Sequence, residues 1–151
     1  QTFGRFGASL PERFFPELYG RFAEPDTWRI YEDVRPALDS LASIGVKLAV
    51  ISNWDDRLRP LLRRLKLDGY FEVIVISGEI GFQKPSPVIF EQALRRLGLP
   101  AQSVLHVGDS PSEDWEGARA AGLRAVLIGR GGRMADRADL DSLEELGAFL
   151  K

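Results

Sequence analysis

The sequence predicts an α/β protein with a doubly wound parallel sheet, and three observations point to that fold class. From residue 34 onward, short runs of β-branched and aliphatic residues alternate with segments of helical periodicity. Gly45, Gly98 and Gly122 each follow a helical segment, at the place where a left-handed residue commonly ends a helix. Strands that alternate with helices are joined by right-handed crossovers, so we expect the strands to be parallel.

The spacing of apolar residues places the elements of this sheet domain in chain order. The predicted strands are Val46–Ile51, Phe71–Ile76, Val104–Val107 and Arg124–Ile128. The predicted helices are Arg35–Ser43, Arg57–Leu65, Val88–Leu97, a segment that ends at Gly122, and Leu140–Leu150. Pro60 fits its helix only near the first turn, and we expect loops at Ser77–Pro87 and Gly129–Asp136.

The first 31 residues depart from this rhythm, because they carry many aromatic side chains and three prolines. Leu10–Phe22 is predicted to form a helix with one apolar face. Such a face needs a cover. We expect it to belong to a small helical accessory unit or to pack on a partner, and the alternative is a helix that docks on the main core.

Composition excludes several classes of function. The 151 residues are 44% hydrophobic, which suits one core, and the net charge of −2 comes with scattered basic residues, which argues against nucleic acid as a partner. No apolar run approaches the roughly 18 residues of a membrane span, and no leader pattern is found, so we expect a cytoplasmic protein without a membrane partner. The absence of cysteine excludes disulfides and thiolate chemistry.

The stretch around Gly108 carries the clearest chemical signal. Asp109 and Asp114 follow the predicted Val104–Val107 strand, and ligands bind at the carboxyl ends of parallel strands. Two carboxylates beside a glycine suit an oxygen-bound cation such as Mg²⁺. The alternative is structural: Asp109 would cap a helix, with Glu113 and Asp114 near the positive end of its dipole.

Two further loops are predicted to lie at the same edge of the sheet. Ser52 and Asn53 follow the first strand, at a predicted helix start, and Lys84 lies in the Gly/Pro loop, where Pro85 favours an extended conformation. A donor pair, a cation and a carboxylate pair are the parts that hold a phosphoryl group. Taken alone, Ser52 is equally a helix cap and Lys84 a solvated loop residue.

These residues resemble the motifs of the haloacid dehalogenase-like hydrolase superfamily, in the branch with a small helical cap inserted early in the core. The resemblance covers about Leu10 to Leu150. Ile51-Ser52-Asn53 is similar to the second motif of that family, Lys84-Pro85 to the third, and Gly108-Asp109-Ser110 through Asp114 to the fourth. It implies that residues 1–31 are the remnant of a helical cap and that residues 32–151 form the α/β core.

The resemblance also implies a role for each motif residue. Ser52 and Asn53 would bind the phosphoryl group of a small phosphorylated metabolite, and Lys84 would neutralise that group and orient the nucleophile. Asp109 would ligate Mg²⁺, and Asp114 would support the metal or Lys84. Carbon–halogen members of the superfamily lack a metal and carry Ser and Asn where this chain has Gly108-Asp109, so phosphate monoester hydrolysis is favoured over 2-haloacid dehalogenation.

The nucleophile of the family is not found in this sequence. It is an aspartate in an Asp-x-Asp motif at the end of the first core strand. Asp139-Leu140-Asp141 has the letters but no apolar strand before it, which favours a helix cap, and Asp55-Asp56 fails for the same reason. We expect the motif upstream of Gln1, so that this chain alone is nearly inactive. A non-catalytic phosphate-binding or interaction protein is the alternative.

The missing strand has a structural consequence. In the sheet order of the family it lies between the predicted strands Val46–Ile51 and Val104–Val107. Its absence leaves unpaired backbone groups, at about 1–3 kcal/mol for each buried one. We expect the two halves to close together, another chain to supply a strand through homo-oligomerisation or strand exchange, or an upstream segment to remain bound.

Three other positions carry weaker signals. His106 lies between apolar neighbours, which is typical of a core residue rather than of a catalytic one. Trp54 is expected either to contact substrate or to pack against the cap. Arg130 and Arg133 lie in a glycine-rich loop without a strand-to-helix phosphate cradle, so a solvated loop is predicted there.

Overall fold

Four short strands form two separate parallel pairs in the computed structural model, which describes residues 11–130 and 138–150. β1 (Ala49–Ser52) pairs with β2 (Val73–Ile76), and β3 (Leu105–Gly108) pairs with β4 (Arg124–Leu127). The predicted α/β class with parallel strands is confirmed. Each strand lies within its predicted segment or within one residue of it, but covers only four residues.

Helices connect the strands in the predicted alternation, except that the segment Ser77–Pro87, which we predicted as a loop, begins with one turn of helix at Ser77–Ile80. The α-helices are α1 (Phe14–Arg21), α2 (Val34–Ser43), α3 (Leu58–Arg64), α4 (Ser77–Ile80), α5 (Pro87–Leu97) and α6 (Gly117–Ala120). Single 3₁₀ turns lie at Pro25–Thr27, Asp68–Tyr70 and Ala101–Ser103, a longer 3₁₀ segment at Leu143–Phe149, and a π-helical turn at Pro111–Glu116. In the described part of the chain, no helix is long and apolar enough to cross a membrane.

Helix α5 shows how the sequence sets the bounds of an element. Pro87 occupies the first turn, where its missing N–H costs nothing, and Gly98 ends the helix in the left-handed region at φ 67°. Ile89, Phe90 and Leu97 lie on the buried face. The predicted helix Val88–Leu97 is therefore confirmed, and α2 confirms its neighbour Arg35–Ser43.

The β1–β2 pair has helices on both faces, as a doubly wound sheet requires. Val75 of β2 packs in one core cluster with Phe90 of α5, and both are fully buried. The next residue, Ile76, points to the other face and packs with Leu58 of α3 and Leu38 of α2. Successive side chains of a strand alternate between faces, so one strand serves two cores.

The two strand pairs are not joined to each other. Within the described residues, β1 and β3 are not hydrogen-bonded neighbours, and every residue of both strands is half-buried, whereas Val75 and Ile76 of β2 are fully buried. Leu48 and Leu105 pack against a common cluster, so side-chain packing connects the two halves. Of the three expected outcomes, closure of the halves into one hydrogen-bonded sheet is not observed, and a strand supplied from elsewhere stays a prediction.

Helix α1 contacts the loop that follows β1. The hydroxyl of Tyr19 donates to Asp55 Oδ2 at 3.3 Å, and the rings of Trp28 and Trp54 lie 4.9 Å apart. None of the residues of α1 is buried. The helix is shorter than the predicted Leu10–Phe22, whose first residue lies outside the described part of the chain. The assignment of residues 1–31 to a cap remains a prediction.

The carboxyl-terminal segment differs from its prediction. Leu140 forms a parallel bridge with Ile128 instead of starting a helix, and Asp139 Oδ2 accepts the N–H of Leu127 at 2.7 Å. The helical segment begins after Ser142, which forms a capping box with Glu145. The helix start predicted at Leu140 is therefore wrong, because the backbone of Leu140 pairs beside the end of β4 and its side chain is buried in the core. Asp139 has a structural role, but Ser142 is the cap.

Asp33 ties this carboxyl-terminal segment to the start of α2. It accepts hydrogen bonds from Arg130 Nη1 at 2.8 Å, Leu143 N at 2.8 Å and Ser142 Oγ at 3.3 Å. The hydrogen bond from Arg130 holds the pKa of Asp33 below its usual value, although burial acts in the opposite direction. Because the folded-state pKa is depressed, this stabilisation is present above the unfolded-state value of about 3.9 and is lost as the pH falls through the folded-state value.

We expect Asp33→Ala to lower the free energy of unfolding by about 1–3 kcal/mol at pH 7, because it leaves the half-buried donors of Arg130 and Leu143 without their acceptor. Urea denaturation at pH 7 and at successively lower pH measures this. The difference from the wild type should shrink as the pH falls below about 4. The control is Asp26→Ala, whose carboxylate is exposed and which should change stability by less than about 0.5 kcal/mol. A difference for Asp33→Ala that does not change with pH would contradict this account.

Candidate active site

The carboxyl ends of β1 and β3 bring three of the predicted site residues into contact. Asn53 follows β1, Lys84 lies in the loop between α4 and α5, and Asp114 lies in the π-helical turn after β3. These positions are 30 residues or more apart in sequence, and side-chain hydrogen bonds join them in the structure. The predicted convergence of the three loops at one edge is therefore observed for these residues.

The Lys84–Asp114 ion pair is the centre of the site. Lys84 Nζ lies 2.5 Å from Asp114 Oδ1, and the two side chains are only 12% and 4% exposed. His106 Nε2 lies 2.9 Å from the same oxygen, and the backbone N–H of Ser110 donates to Asp114 Oδ2 at 3.0 Å. Both oxygens of this carboxylate are therefore bound by groups of the protein.

These contacts fix the charge of Asp114. Burial raises the pKa of a carboxyl group, but the hydrogen bonds from His106 and Lys84 and the positive charge of Lys84 act in the opposite direction. They hold the pKa of Asp114 well below its usual range. Asp114 is therefore ionised at neutral pH and can pair with the ammonium group of Lys84.

Asn53 clamps the loop that carries Lys84. Its Oδ1 accepts the backbone N–H of Lys84 at 2.7 Å, and its Nδ2 donates to the carbonyl of Lys84 at 3.0 Å. The same Nδ2 also donates to Glu113 Oε2 at 3.1 Å. The amide predicted to bind substrate is thus committed to protein partners, which gives it a positioning role. Its contact with substrate stays a prediction.

Ser52 and Asp109 are the residues of the predicted site whose side chains have no bonding partner among the described residues. Ser52 is half-buried and Asp109 exposed, and neither side chain makes a hydrogen bond or ion pair with the described residues. The cap of the following turn is Ser110, whose Oγ accepts the N–H of Glu113 at 3.2 Å, so the interpretation of Asp109 as a helix cap is wrong. Asp109 is free to bind a ligand.

The prediction that Ser52 and Asn53 lie at a helix start is also wrong. Helix α3 begins at Leu58, and Asp55 lies between, bound to Arg57 through its side chain. Helix α3 therefore does not begin directly after Ser52 and Asn53 in the chain. What Ser52 offers to an anion is its own hydroxyl group.

Gly108 is required by the approach of Asp114 to the end of β3. A Cβ built on Gly108 would overlap the Cβ, Cγ and Oδ2 atoms of Asp114. The π-helical turn that carries Asp114 is a rare conformation that often marks functional sites. The absence of a side chain at Gly108 thus permits the buried Lys84–Asp114 pair.

Two site residues were not assigned from the sequence. Glu113 contacts Asn53, and His106, whose side chain is 11% exposed, contacts Asp114, so the histidine expected in the core has a polar partner. The signal for both was their place in or beside the fourth motif. Trp54 packs on Trp28, which lies in the segment predicted to be a cap remnant, and whether that segment is a cap stays a prediction. Arg130 pairs with Asp33 rather than lying free in solvent. Arg133 lies outside the described residues.

The site offers carboxylate oxygen, which suits a hard cation such as Mg²⁺, but it offers few such ligands. Among residues 11–130 and 138–150, no group of three or more His, Asp or Glu side chains is arranged to hold a metal ion. Among the described carboxylates of this site, Asp109 is exposed and makes no hydrogen bond or ion pair, whereas Asp114 and Glu113 are bonded to protein groups. A free carboxylate oxygen is a ligand that Mg²⁺ prefers. A bound Mg²⁺ would therefore need further oxygen ligands from water, from a phosphate, or from a carboxylate outside these residues.

Comparison with known proteins gives the family context. Residues 3–122 match a family described as haloacid dehalogenase-like hydrolase. The chain is 38% identical over 159 residues to the haloacid dehalogenase-like hydrolase domain-containing protein 3 of Danio rerio, across 99% of this chain and 66% of that protein. It is 36% identical over 131 residues to a phosphoserine phosphatase of Thermus thermophilus, across 83% of this chain and 51% of that enzyme.

Comparison with solved structures leads to the same family. The crystal structure of a HAD phosphatase from Thermococcus onnurineus superposes with a TM-score of 0.79 at 33% identity, covering 98% of this chain and 68% of that one. The present chain therefore spans between one half and two thirds of the length of the curated relatives named above.

Proposed function

Since this chain belongs to the haloacid dehalogenase-like hydrolase family, we propose that it forms the phosphoryl-binding part of a Mg²⁺-dependent phosphate monoester hydrolase. The substrate class is a small phosphorylated metabolite. The observation that carries the proposal is the buried Lys84–Asp114 pair, at the edge where the side chains of Ser52 and Asp109 remain uncommitted. The phosphatase named among the relatives supports the same reaction class.

Each residue has a part that its contacts support. Lys84, held by Asp114 and by the Asn53 clamp, neutralises an oxygen of the phosphoryl group, and the Ser52 hydroxyl donates to another. Asp109 would hold the Mg²⁺ ion, which when bound supplies the positive charge that phosphoryl transfer requires. For Asp114, three hydrogen-bond donors on its two oxygens favour support of Lys84 over direct metal binding.

The nucleophile is proposed to come from a strand that is not among the described residues. The hydrogen-bonding edges of β1 and β3 are not paired with each other, while Asn53 and Glu113 meet at their carboxyl ends. A parallel strand between them would bring an aspartate beside Lys84. A second copy of the chain or a further segment of the protein would supply it. Loss of a nucleophile costs about 10⁶ in kcat in a well-studied protease, so this chain alone should turn over almost nothing.

Two measurements on the chain test this proposal. Calorimetry with inorganic phosphate should show binding that depends on Mg²⁺ and that is lost in Lys84→Ala. Hydrolysis of an aryl phosphate by the same sample should stay at the background rate. A protein extended by an apolar strand that ends in Asp-x-Asp should recover activity. If phosphate does not bind with or without Mg²⁺, the proposal fails.

One observation favours a second candidate, a phosphate-binding protein without catalysis. Neither Asp139-Leu140-Asp141 nor Asp55-Asp56 lies at the end of a strand in the described residues: Leu140 forms only an isolated bridge with Ile128, and Asp139 accepts the N–H of Leu127. Binding of phosphate by both the chain and its extended form, with no hydrolysis by either, would favour this second function.

A further inference from the structure

We propose that His106 is a positioning residue, which fixes the carboxylate of Asp114 and thereby holds the ammonium group of Lys84 at the site. What Lys84 binds rests on the proposed function, but the positioning itself is a property of the described residues. It assigns a task to a histidine whose sequence context indicates only a core position.

The contacts of Asp114 explain why a third donor matters. Lys84 Nζ and His106 Nε2 both bind Oδ1, and the Ser110 N–H binds Oδ2. Without His106, one donor remains on each oxygen, and the one on Oδ1 is the flexible Lys84 side chain itself. The carboxylate would then turn together with the ammonium group that it should hold. His106 is the rigid member that prevents this rotation.

The fold holds the His106 ring rigidly. Leu105 and Val107, its neighbours on β3, pack in one cluster, so the alternation of the strand turns His106 to the opposite face. There its ring lies edge-to-face with Phe90, at 5.2 Å between centroids and 90° between planes, and Phe90 is fully buried. The His106 side chain is 11% exposed. In this position its Nε2 atom reaches Asp114 Oδ1.

The direction of the hydrogen bond follows from its partner. An ionised carboxylate only accepts hydrogen bonds, so the Nε2 atom of His106 carries the hydrogen in this contact. This requirement separates a positioning role from simple packing. An apolar residue of similar size can still pack against Phe90, but it donates nothing to Asp114. Glutamine presents an N–H near the place of Nε2, whereas asparagine is too short to do so.

The first test observes Lys84 directly, by NMR of protein labelled with ¹⁵N at the lysine side chains. The sequence has four lysines, and Lys84→Arg assigns the signal by removing it. A buried, bonded ammonium group exchanges slowly with water and is visible, whereas an exposed one exchanges too fast. We expect the Lys84 signal in the wild type and in His106→Gln, and its loss in His106→Leu and His106→Asn. Retention in His106→Asn at the wild-type shift would overturn the proposal.

The second test measures the affinity for inorganic phosphate with Mg²⁺. His106→Asn and His106→Leu should weaken binding by about fivefold, and His106→Gln by less than about twofold. Leu62→Ala is the control, because Leu62 is buried in the other core cluster and its loss should lower stability without affecting the Lys84 signal or phosphate affinity. Loss of the signal in this control would show a merely structural effect and would overturn the proposal.

The two tests separate the two proposals. If the wild type binds no phosphate but the Lys84 signal responds to His106 as expected, the proposed function fails and the positioning role stands. If phosphate binds and the Lys84 signal is indifferent to His106, the positioning role fails alone. If His106→Leu does not fold, the comparison of His106→Gln with His106→Asn decides.

Discussion

Replacement of Gly108 by alanine is expected to break the Lys84–Asp114 pair and to abolish phosphate binding. The new methyl group would occupy space that the Asp114 carboxylate now fills, so the π-helical turn has to move away from β3. Overpacking of this kind costs about 1–3 kcal/mol and occasionally more. Separation of a buried ion pair adds to it, so we place Gly108→Ala at or above the upper end of that range.

Two other glycines provide matched controls for this experiment. A Cβ on Gly69 meets nothing within 4 Å, whereas one on Gly117 would lie 2.9 Å from the Pro85 Cα atom and 3.0 Å from the Phe90 ring. Chemical denaturation and phosphate calorimetry should rank the losses as Gly108→Ala, then Gly117→Ala, then Gly69→Ala near the wild type. Wild-type stability and phosphate affinity in Gly108→Ala would contradict the packing that we describe.

Replacement of Asp114 by alanine should have the second large effect. It leaves the Lys84 ammonium group, 12% exposed, without its counter-charge and removes the acceptor of His106. Breaking a buried pair by removing one partner costs about 3–5 kcal/mol, because an uncompensated charge remains. We therefore expect a loss of that size in the free energy of unfolding at pH 7, measured in urea.

The pH dependence and a double variant show whether charge is the cause. The folded-state pKa of Asp114 is depressed, so its contribution is complete above the unfolded-state value of about 3.9 and declines as the pH falls toward the folded-state value. The difference between wild type and Asp114→Ala should narrow accordingly. Lys84→Met with Asp114→Leu removes both charges and should recover much of the lost stability, but no phosphate binding. A double variant as unstable as Asp114→Ala would contradict this explanation.

The fold was largely predictable from the sequence because its signals are local. The first turn at Pro87 and the left-handed Gly98 fix α5 within one residue, and the apolar runs locate the strands. The length of each strand was not predictable, since a residue belongs to a strand only where its backbone pairs with a neighbouring strand. The start of the last helical segment was misplaced because Leu140 forms a parallel bridge with Ile128. Such a pairing depends on tertiary structure and leaves no local signal in the sequence.

The candidate site shows the same division. Motif spacing predicted that Asn53, Lys84 and Asp114 would lie together, since parallel strands end at one edge. The contacts of Glu113 with Asn53 and of His106 with Asp114 were missed, because they depend on side-chain rotamers across 60 and 8 residues. The supposed helix start at Ser52 failed because Asp55 and Arg57 form a local ion pair before α3 begins.

The most direct test of the central claim is to locate a bound cation by NMR, with Mn²⁺ in place of Mg²⁺ and inorganic phosphate present. Paramagnetic broadening falls steeply with distance, so the affected backbone amides mark the site. The account predicts strong broadening at Ser52, Asp109 and Ser110 and little at Arg124, which lies at the opposite end of its strand pair. Broadening centred on exposed carboxylates elsewhere, with the amide of Asp109 unaffected, would contradict the account.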